Sequence, residues 1–594
     1  MIDPHSYARP SEVVVTHLHL DIRVDFEQEI IEGDARLDIK KAQNASLLRL
    51  DTKELSIKEV WTIDHEGQTK KAQFEVQDAD PILGSALIVE INESILSVQV
   101  RYSTSPHAEA LKWLNPQQTA GKKHPFLLTQ SQAINARTWI PIQDGPGMRF
   151  TYSARVQVPP HLMAVMSATN PTERSTTGIY EFEMCQPIPA YLLALAVGDF
   201  TFKSLGPRTG VYAEPVMLEA SAYELAEMED MLRLAEGLYG PYRWDRYDVI
   251  VLPPSFPFGG MENPRLTFAT PTIIVGDRSL TSLIAHELAH SWSGNLVTNA
   301  TWNELWINEG FTVYFEYRIM EALKGREYSE MLAQLSLYDL KAEIAEVGDS
   351  NPDTHLYLQL EGRNPDDGVT SIPYEKGYYF LRLIANTVGR ERFDAFLASY
   401  FNAHAFKSMD TPTFLSYIKE HLLTQEEEKQ INIPAWIYGP GLPSNLPTPN
   451  SNRFEKVEAE IEKWKTGAAA TSLASSKWTT HEWLHFIRHL PTPLTESQMI
   501  ELDNAFGLTS SKNPEIQCAW YQLCLQKGYN QANEAIEAFL IRVGRRKFLS
   551  PLYKEMVKTE SGTQMAMSIY TKARPNYHPI STNTIDKIVG FSIK

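Results

Sequence analysis

The chain has 594 residues, more than one hydrophobic core can organise, so several packed domains are expected. Its 43% hydrophobic and 22% charged residues are those of an ordinary globular protein. A net charge of −18 lacks the basic footprint of a nucleic-acid binder, and three cysteines (Cys185, Cys518, Cys524) cannot complete a disulfide framework and suit a reducing compartment.

The opening residues, Met1-Ile2-Asp3-Pro4-His5, have neither the basic nor the apolar region of a secretory leader. The most apolar stretch, residues 191–197, is too short to cross a bilayer. A soluble cytoplasmic protein with no membrane insertion is therefore expected.

The first ~200 residues alternate with period two. Leu18, Leu20, Ile22, Val24 and Phe26 form one apolar set, and Phe150, Tyr152, Ala154, Val156 and Val158 another. Such segments with turns between them predict antiparallel sheets in a sandwich or saddle over residues 1–203. From about Glu219 the spacing becomes helical, and residues 204–438 form a second domain. Its two most apolar helices are expected at 279–293 and about 304–323, with Gly294 and Gly325 just past their ends.

Residues 439–452 are a Pro-rich linker, incompatible with regular helix or central strand. Beyond it, at 453–594, helical segments follow one another with short Pro, Gly or Asn breaks, which predicts an α-solenoid-like domain. Cys518 and Cys524 lie in one of these helical segments and read as packing residues.

The chemistry concentrates in His286-Glu287-Leu288-Ala289-His290. Two histidines four apart project from one face of a helix and can chelate one zinc ion. Glu287 stands beside them, placed to take a proton from a water that the ion polarises. Glu309, on the next apolar helix, supplies the third ligand if that helix folds back antiparallel.

The same five-residue pattern recurs as His481-Glu482-Trp483-Leu484-His485. There the helix is amphipathic, Glu482 stands three residues after Thr479 as a capping-box partner, and no glutamate follows at the ligand distance. The second motif is expected to be a solvated helix face.

Upstream, Phe258-Gly259-Gly260-Met261-Glu262-Asn263 combines two glycines, which let a substrate backbone approach, with a carboxylate able to hold a free ammonium. Together with the zinc motif and Trp306-Ile307-Asn308-Glu309-Gly310, it resembles the M1 family of metallo-aminopeptidases. Four further stretches resemble the leukotriene A4 hydrolase/aminopeptidase branch, and they extend the likeness to the whole chain. They are Gln130-Ser131-Gln132-Ala133, Pro373-Tyr374-Glu375-Lys376-Gly377, Tyr438-Gly439-Pro440-Gly441-Leu442-Pro443 and Gly544-Arg545-Arg546-Lys547-Phe548.

The resemblance implies a multidomain α+β fold: an N-terminal β-sandwich or saddle, a thermolysin-like, mainly α catalytic domain and the helical C-terminal domain. It implies one Zn²⁺ per chain on His286, His290 and Glu309, with Glu287 and Tyr374 catalytic. Glu262, backed by Gln132, would bind the substrate's free N-terminus, Gln130 would be a further substrate-binding residue, and Gly259, Gly260 and Met261 would line the peptide backbone. Tyr374 would donate to the oxyanion, a contact typically worth about 10²–10³ in rate. Arg545 and Lys547, which unaided read as a solvated basic patch, would grip the C-terminal carboxylate of short peptides.

The branch also opens a lipid epoxide with an aspartate and a tyrosine upstream of Tyr374. The aspartate is present as Asp366, to position a water, but Val369 stands where the tyrosine would be. An endopeptidase would share the zinc motif, and Glu262 is the residue that discriminates against that reading. A non-catalytic scaffold would be free to lose Glu287, a ligand or Tyr374, and this chain retains them all.

Overall fold

Apolar side chains alternate along strand Val13–Asp25, so Leu18, Leu20, Ile22 and Val24 all turn into one core. The computed structural model describes residues 3–592, and Met1 and Ile2 of the segment read for a leader lie outside them. Strand Val13–Asp25 runs antiparallel to Ile30–Lys41, with Leu20 opposite Ala35. It also runs parallel to Phe150–Gln157, with Leu20 opposite Ala154, inside a seven-stranded sheet. Smaller sheets of four and three strands pack with it around a shared core. The apolar stretch near residue 195 becomes a fully buried strand, Leu195–Gly198. No helix among the described residues is long and apolar enough to cross a membrane.

At Thr201–Ser204 the chain enters a five-stranded sheet that the helical reading of this region did not anticipate. Strands Thr209–Ala213, Tyr247–Val251 and Leu266–Ala269 are parallel and almost wholly buried, so they show apolar runs rather than alternation. The two-residue strand Gly260–Met261 pairs antiparallel with Leu266–Ala269 and forms one edge of this sheet. The helix expected at 279–293 is shorter: it spans Ser282–Ala289 and ends with His290 as its cap. Helix Leu305–Lys324 matches its expected span and packs against the motif helix.

The linker is pinned where it leaves the catalytic domain, because Lys376 Nζ donates to Gly439 O at 2.8 Å and Gly441 N donates to Thr354 Oγ1 at 2.9 Å. The C-terminal helices then stack in two layers around their own core. Helices Thr480–Arg488, Pro514–Lys527, Arg546–Met556 and Pro579–Val589 pack in series as one layer, and Asn533–Arg542 with Glu560–Ala573 belong to the other. Cys518 and Cys524 are both buried in Pro514–Lys527, as packing residues would be. His481, Glu515 and Lys547, each in the first turn of its helix, all reach the wall of one cavity beside the catalytic domain.

Candidate active site

The motif helix brings His286 and His290 together with Nε2 atoms 3.2 Å apart, and each lies 3.4 Å from Glu309 Oε2. His286 Nδ1 donates to Glu316 Oε2 at 3.0 Å, and His290 Nδ1 donates to Ser293 O at 3.0 Å. In the neutral, Nδ1-protonated form that metal binding requires, both Nε2 atoms would present lone pairs to each other and to a carboxylate oxygen that has no hydrogen-bond partner. Three convergent acceptors repel unless a cation lies between them. Tetrahedral zinc with bonds near 2.0–2.1 Å would separate its ligand atoms by about 3.3 Å, so this donor set fits the ion.

The surrounding field favours positive charge. Burial would lower the His290 imidazole, but the carboxylates of Glu262 and Glu309 hold it up to about 9. The Glu309 carboxyl is lowered, since His290 and His286 outweigh its burial. Burial raises the Glu287 carboxyl to about 7, within reach of a proton-transfer role near neutral pH.

Glu287 is held against the sheet edge. A Cβ at Gly260 would lie 2.2 Å from Glu287 Oε1, so only glycine lets the strand pass this carboxylate. Next to it, Glu262 is 4% exposed, its Oε1 has no hydrogen-bond partner, and its main-chain oxygen accepts from Asn295 Nδ2 at 2.7 Å. Carboxylate oxygens of Glu262 and Glu287 and a ring nitrogen of His290 lie within 4.8 Å of one another. Gln132 reaches the cavity, whereas Gln130 sits behind it and donates from Nε2 to Met261 Sδ at 3.1 Å. The Met261 side chain faces the core, so this residue can offer substrate only its backbone.

Tyr374 lies in a widened π-helical turn, Ile372–Lys376, with its ring 6.1 Å from and nearly parallel to that of His286. Burial, reinforced by the charge on Glu309, raises its hydroxyl well above the usual tyrosine range, so it stays a proton donor.

These groups line a cavity of about 590 Å³ that Arg545, Arg546, Lys547, Glu515 and His481 close from the C-terminal domain. Gly544 N donates to Pro254 O at 2.8 Å and Arg546 N to Pro257 O at 2.9 Å, which docks this domain onto the segment before Gly259. Arg545 is thus a buried cavity residue rather than part of a solvated patch, whereas Lys547 lines the cavity with its side chain 56% exposed. Asp366 carries a carboxyl that burial raises to about 6, with Oδ1 unpartnered. Val369, at the position where the branch has its tyrosine, lines the cavity and accepts from Arg546 Nη2 through its main-chain oxygen at 3.4 Å.

The expectation for the second motif needs correcting. Its capping box between Thr479 and Glu482 is formed, but His481, Glu482 and His485 are each only 7% exposed. His481 packs edge-on to Tyr328 of the catalytic domain, and His485 stacks on Phe454 at 4.0 Å while bonded to Glu458. His481 is covered by the catalytic domain and the cavity wall and His485 by helix Asn452–Lys465, whereas His489, one turn further on, stays exposed.

Sequence reasoning missed four supports. Glu316 stands seven residues after Glu309 on one helix face, so helical spacing could have indicated it. Thr312 Oγ1, 3.1 Å from His290 Nδ1, was legible in the same way. Asn295 and Glu515 carried no local signal.

Comparison with known proteins identifies the family. The Peptidase M1 N-terminal domain model matches residues 4–192, the Peptidase family M1 domain matches 223–434, and the Leukotriene A4 hydrolase C-terminal model matches 478–589. Leukotriene A-4 hydrolase of Xenopus laevis is 37% identical over 100% of both chains. Leucine aminopeptidase 2 of Pyricularia oryzae is 35% identical over 99% of this chain and 98% of its own. The solved structure of yeast LTA4 hydrolase in complex with bestatin superposes with a TM-score of 0.90 at 31% identity, covering 100% of this chain and 98% of that one. The chain belongs to the M1 peptidase family of zinc aminopeptidases and carries the C-terminal domain of the leukotriene A4 hydrolase group.

Proposed function

We propose that this enzyme releases N-terminal residues from short peptides, with one zinc ion per chain held by His286, His290 and Glu309. The observation that carries the reading is Glu262, a buried carboxylate with an unpartnered oxygen beside Glu287 and His290. An α-ammonium held there puts the first peptide bond next to Glu287, which restricts cleavage to the chain end.

When bound, zinc would supply Lewis-acid polarisation and acidify a water. Glu287 takes the proton of the attacking water and returns it to the leaving amine. The Tyr374 hydroxyl donates to the oxyanion as it develops. The free edge of Gly260–Met261 offers main-chain groups to an extended substrate, in the manner of an added strand. Arg545 and Lys547, reaching the cavity from the C-terminal domain, receive the C-terminal carboxylate and limit substrate length.

The test is a panel of aminoacyl-arylamides with and without a chelator, repeated with Glu287→Gln and with N-acetylated counterparts. Cleavage should need the metal, the free amine and Glu287. Chelator-insensitive cleavage, or equal turnover of the acetylated substrates, would overturn the proposal.

A further inference from the structure

The two cations assigned to the substrate's carboxylate already share a carboxylate of the protein. Lys547 Nζ donates to both oxygens of Glu515, at 2.8 and 2.9 Å, and Arg545 Nη1 lies 3.5 Å from Glu515 Oε1. Glu515 is fixed from below: it opens helix Pro514–Lys527, and its main-chain N–H donates to the Asn513 side chain at 3.0 Å. Its side chain is 11% exposed, and Lys547 and Arg545 offset its burial and lower its carboxyl, so it is an anion.

Arg545 is not saturated by this contact. Nη1 also donates to Thr272 Oγ1 at 3.2 Å, Nε has no partner, and Nη2 lies so close to Gly259 that a Cβ there would stand 2.6 Å away. Arg545 and Lys547 both approach the ring of Phe548, at 5.1 and 5.9 Å, which restricts both side chains. Of the other cations on this wall, Arg488 pairs with Asp339 at 2.9 Å, and Arg546 is turned toward Val369 O, at 3.4 Å, and the Phe258 ring. Arg545, Lys547 and Glu515 together therefore carry a single positive charge. His481, with a buried Nδ1 that has no protein partner, completes the wall beside Glu515 as a neutral imidazole that burial lowers to about 4.

We propose that Glu515 is a positioning residue that holds Arg545 and Lys547 in place and sets their combined charge to one. The site then takes a peptide ending in a single α-carboxylate and discriminates against a C-terminal aspartate or glutamate. This rests on reading Arg545 and Lys547 as the carboxylate-binding pair. A second negative charge finds only the one net charge of this pair, already matched by the first carboxylate, and the largely buried Glu515 carboxylate repels it.

The test compares kcat/KM for Leu-Ala-Ala, Leu-Ala-Glu and Leu-Ala-Ala-amide in the zinc-loaded wild type, Glu515→Gln and Glu515→Asp. Wild type should prefer Leu-Ala-Ala over both others. Glu515→Gln should raise the Leu-Ala-Glu to Leu-Ala-Ala ratio on the order of tenfold, through KM, and Glu515→Asp should return it toward wild type. Wild type that uses Leu-Ala-Glu as well as Leu-Ala-Ala overturns the proposal without any variant. So does a Glu515→Gln enzyme whose three activities fall together with ratios unchanged. Wild type indifferent to amidation removes the carboxylate reading itself. Retained acid preference with an unmoved glutamate ratio removes only the role given to Glu515.

Discussion

A Cβ at Gly310 would stand 2.8 Å from the Cα of Gly377, so the helix that carries Glu309 meets the turn that carries Tyr374 backbone to backbone. The contact joins the elements of two groups with different proposed duties, the proposed metal ligand Glu309 one residue from Gly310 and the proposed oxyanion donor Tyr374 three residues from Gly377. Neither backbone can yield cheaply, because Leu305–Lys324 is buried along most of its length. Gly310→Ala should part the two elements by a fraction of an ångström, costing about 1–3 kcal/mol of stability through overpacking. A misplacement of about 1 Å can cost on the order of 10² in rate, so kcat should fall ten- to a hundredfold. Steady-state kinetics on an aminoacyl-arylamide, with zinc content measured in parallel, checks this. A variant with unchanged kcat would show that the close approach is incidental.

Glu316 orients the His286 ring through the 3.0 Å bond to Nδ1, and this bond also keeps the Nε2 lone pair free for metal. Partners of this kind typically contribute 10–100-fold to metal affinity. Glu316→Ala should weaken zinc binding by about that factor while leaving three ligands in place. Competition against a chelator of known affinity measures the change, and an unaltered dissociation constant would count against the assignment.

The two HExxH copies make a matched pair of controls. His290→Ala should remove zinc from the protein, whereas His485→Ala should leave the zinc content as it was. His485 is engaged instead with Phe454 and Glu458, so its loss should appear as a lower Tm, by about 1 kcal/mol of stability. Elemental analysis of both purified variants decides the matter. Zinc lost with His485 would mean that the second motif binds metal after all.

The contrast between these motifs shows how far local pattern reaches. The proposed zinc ligands, Glu287 and even Glu316 fall at helical spacing within two helices, so periodicity and side-chain chemistry expose them. The burial of His481 could not be read in that way. An amphipathic helix reveals that one face is polar, but whether water, a cavity or Tyr328 of another domain covers that face is decided by tertiary packing. The strand Gly260–Met261 is too short to have a period, and the parallel strands beside it are buried on both faces and read as plain apolar runs. Glu515 meets Arg545 thirty positions further along the chain, and no local rule joins them.

Lys376 supplies a pH-dependent test of how the linker is held. Its ammonium is fully buried, donates to Thr354 O and Gly439 O at 2.8 Å each, and burial lowers it from the usual lysine range to about 7. In the unfolded chain the same group titrates near ~10.4. Between these values the unfolded state binds more protons than the folded one, so stability from this residue rises with pH across about 7 to 10. Below pH about 7 both states are protonated and the folded state bears the full cost of the buried charge. Lys376→Met removes the titration together with the two hydrogen bonds. The Tm of the wild type relative to Lys376→Met should therefore climb as pH is raised from 7 to 10, and be flat from 5 to 6. A Tm difference that stays constant from pH 7 to 10 would mean that Lys376 keeps its proton throughout, and that its two carbonyl partners compensate the burial in full.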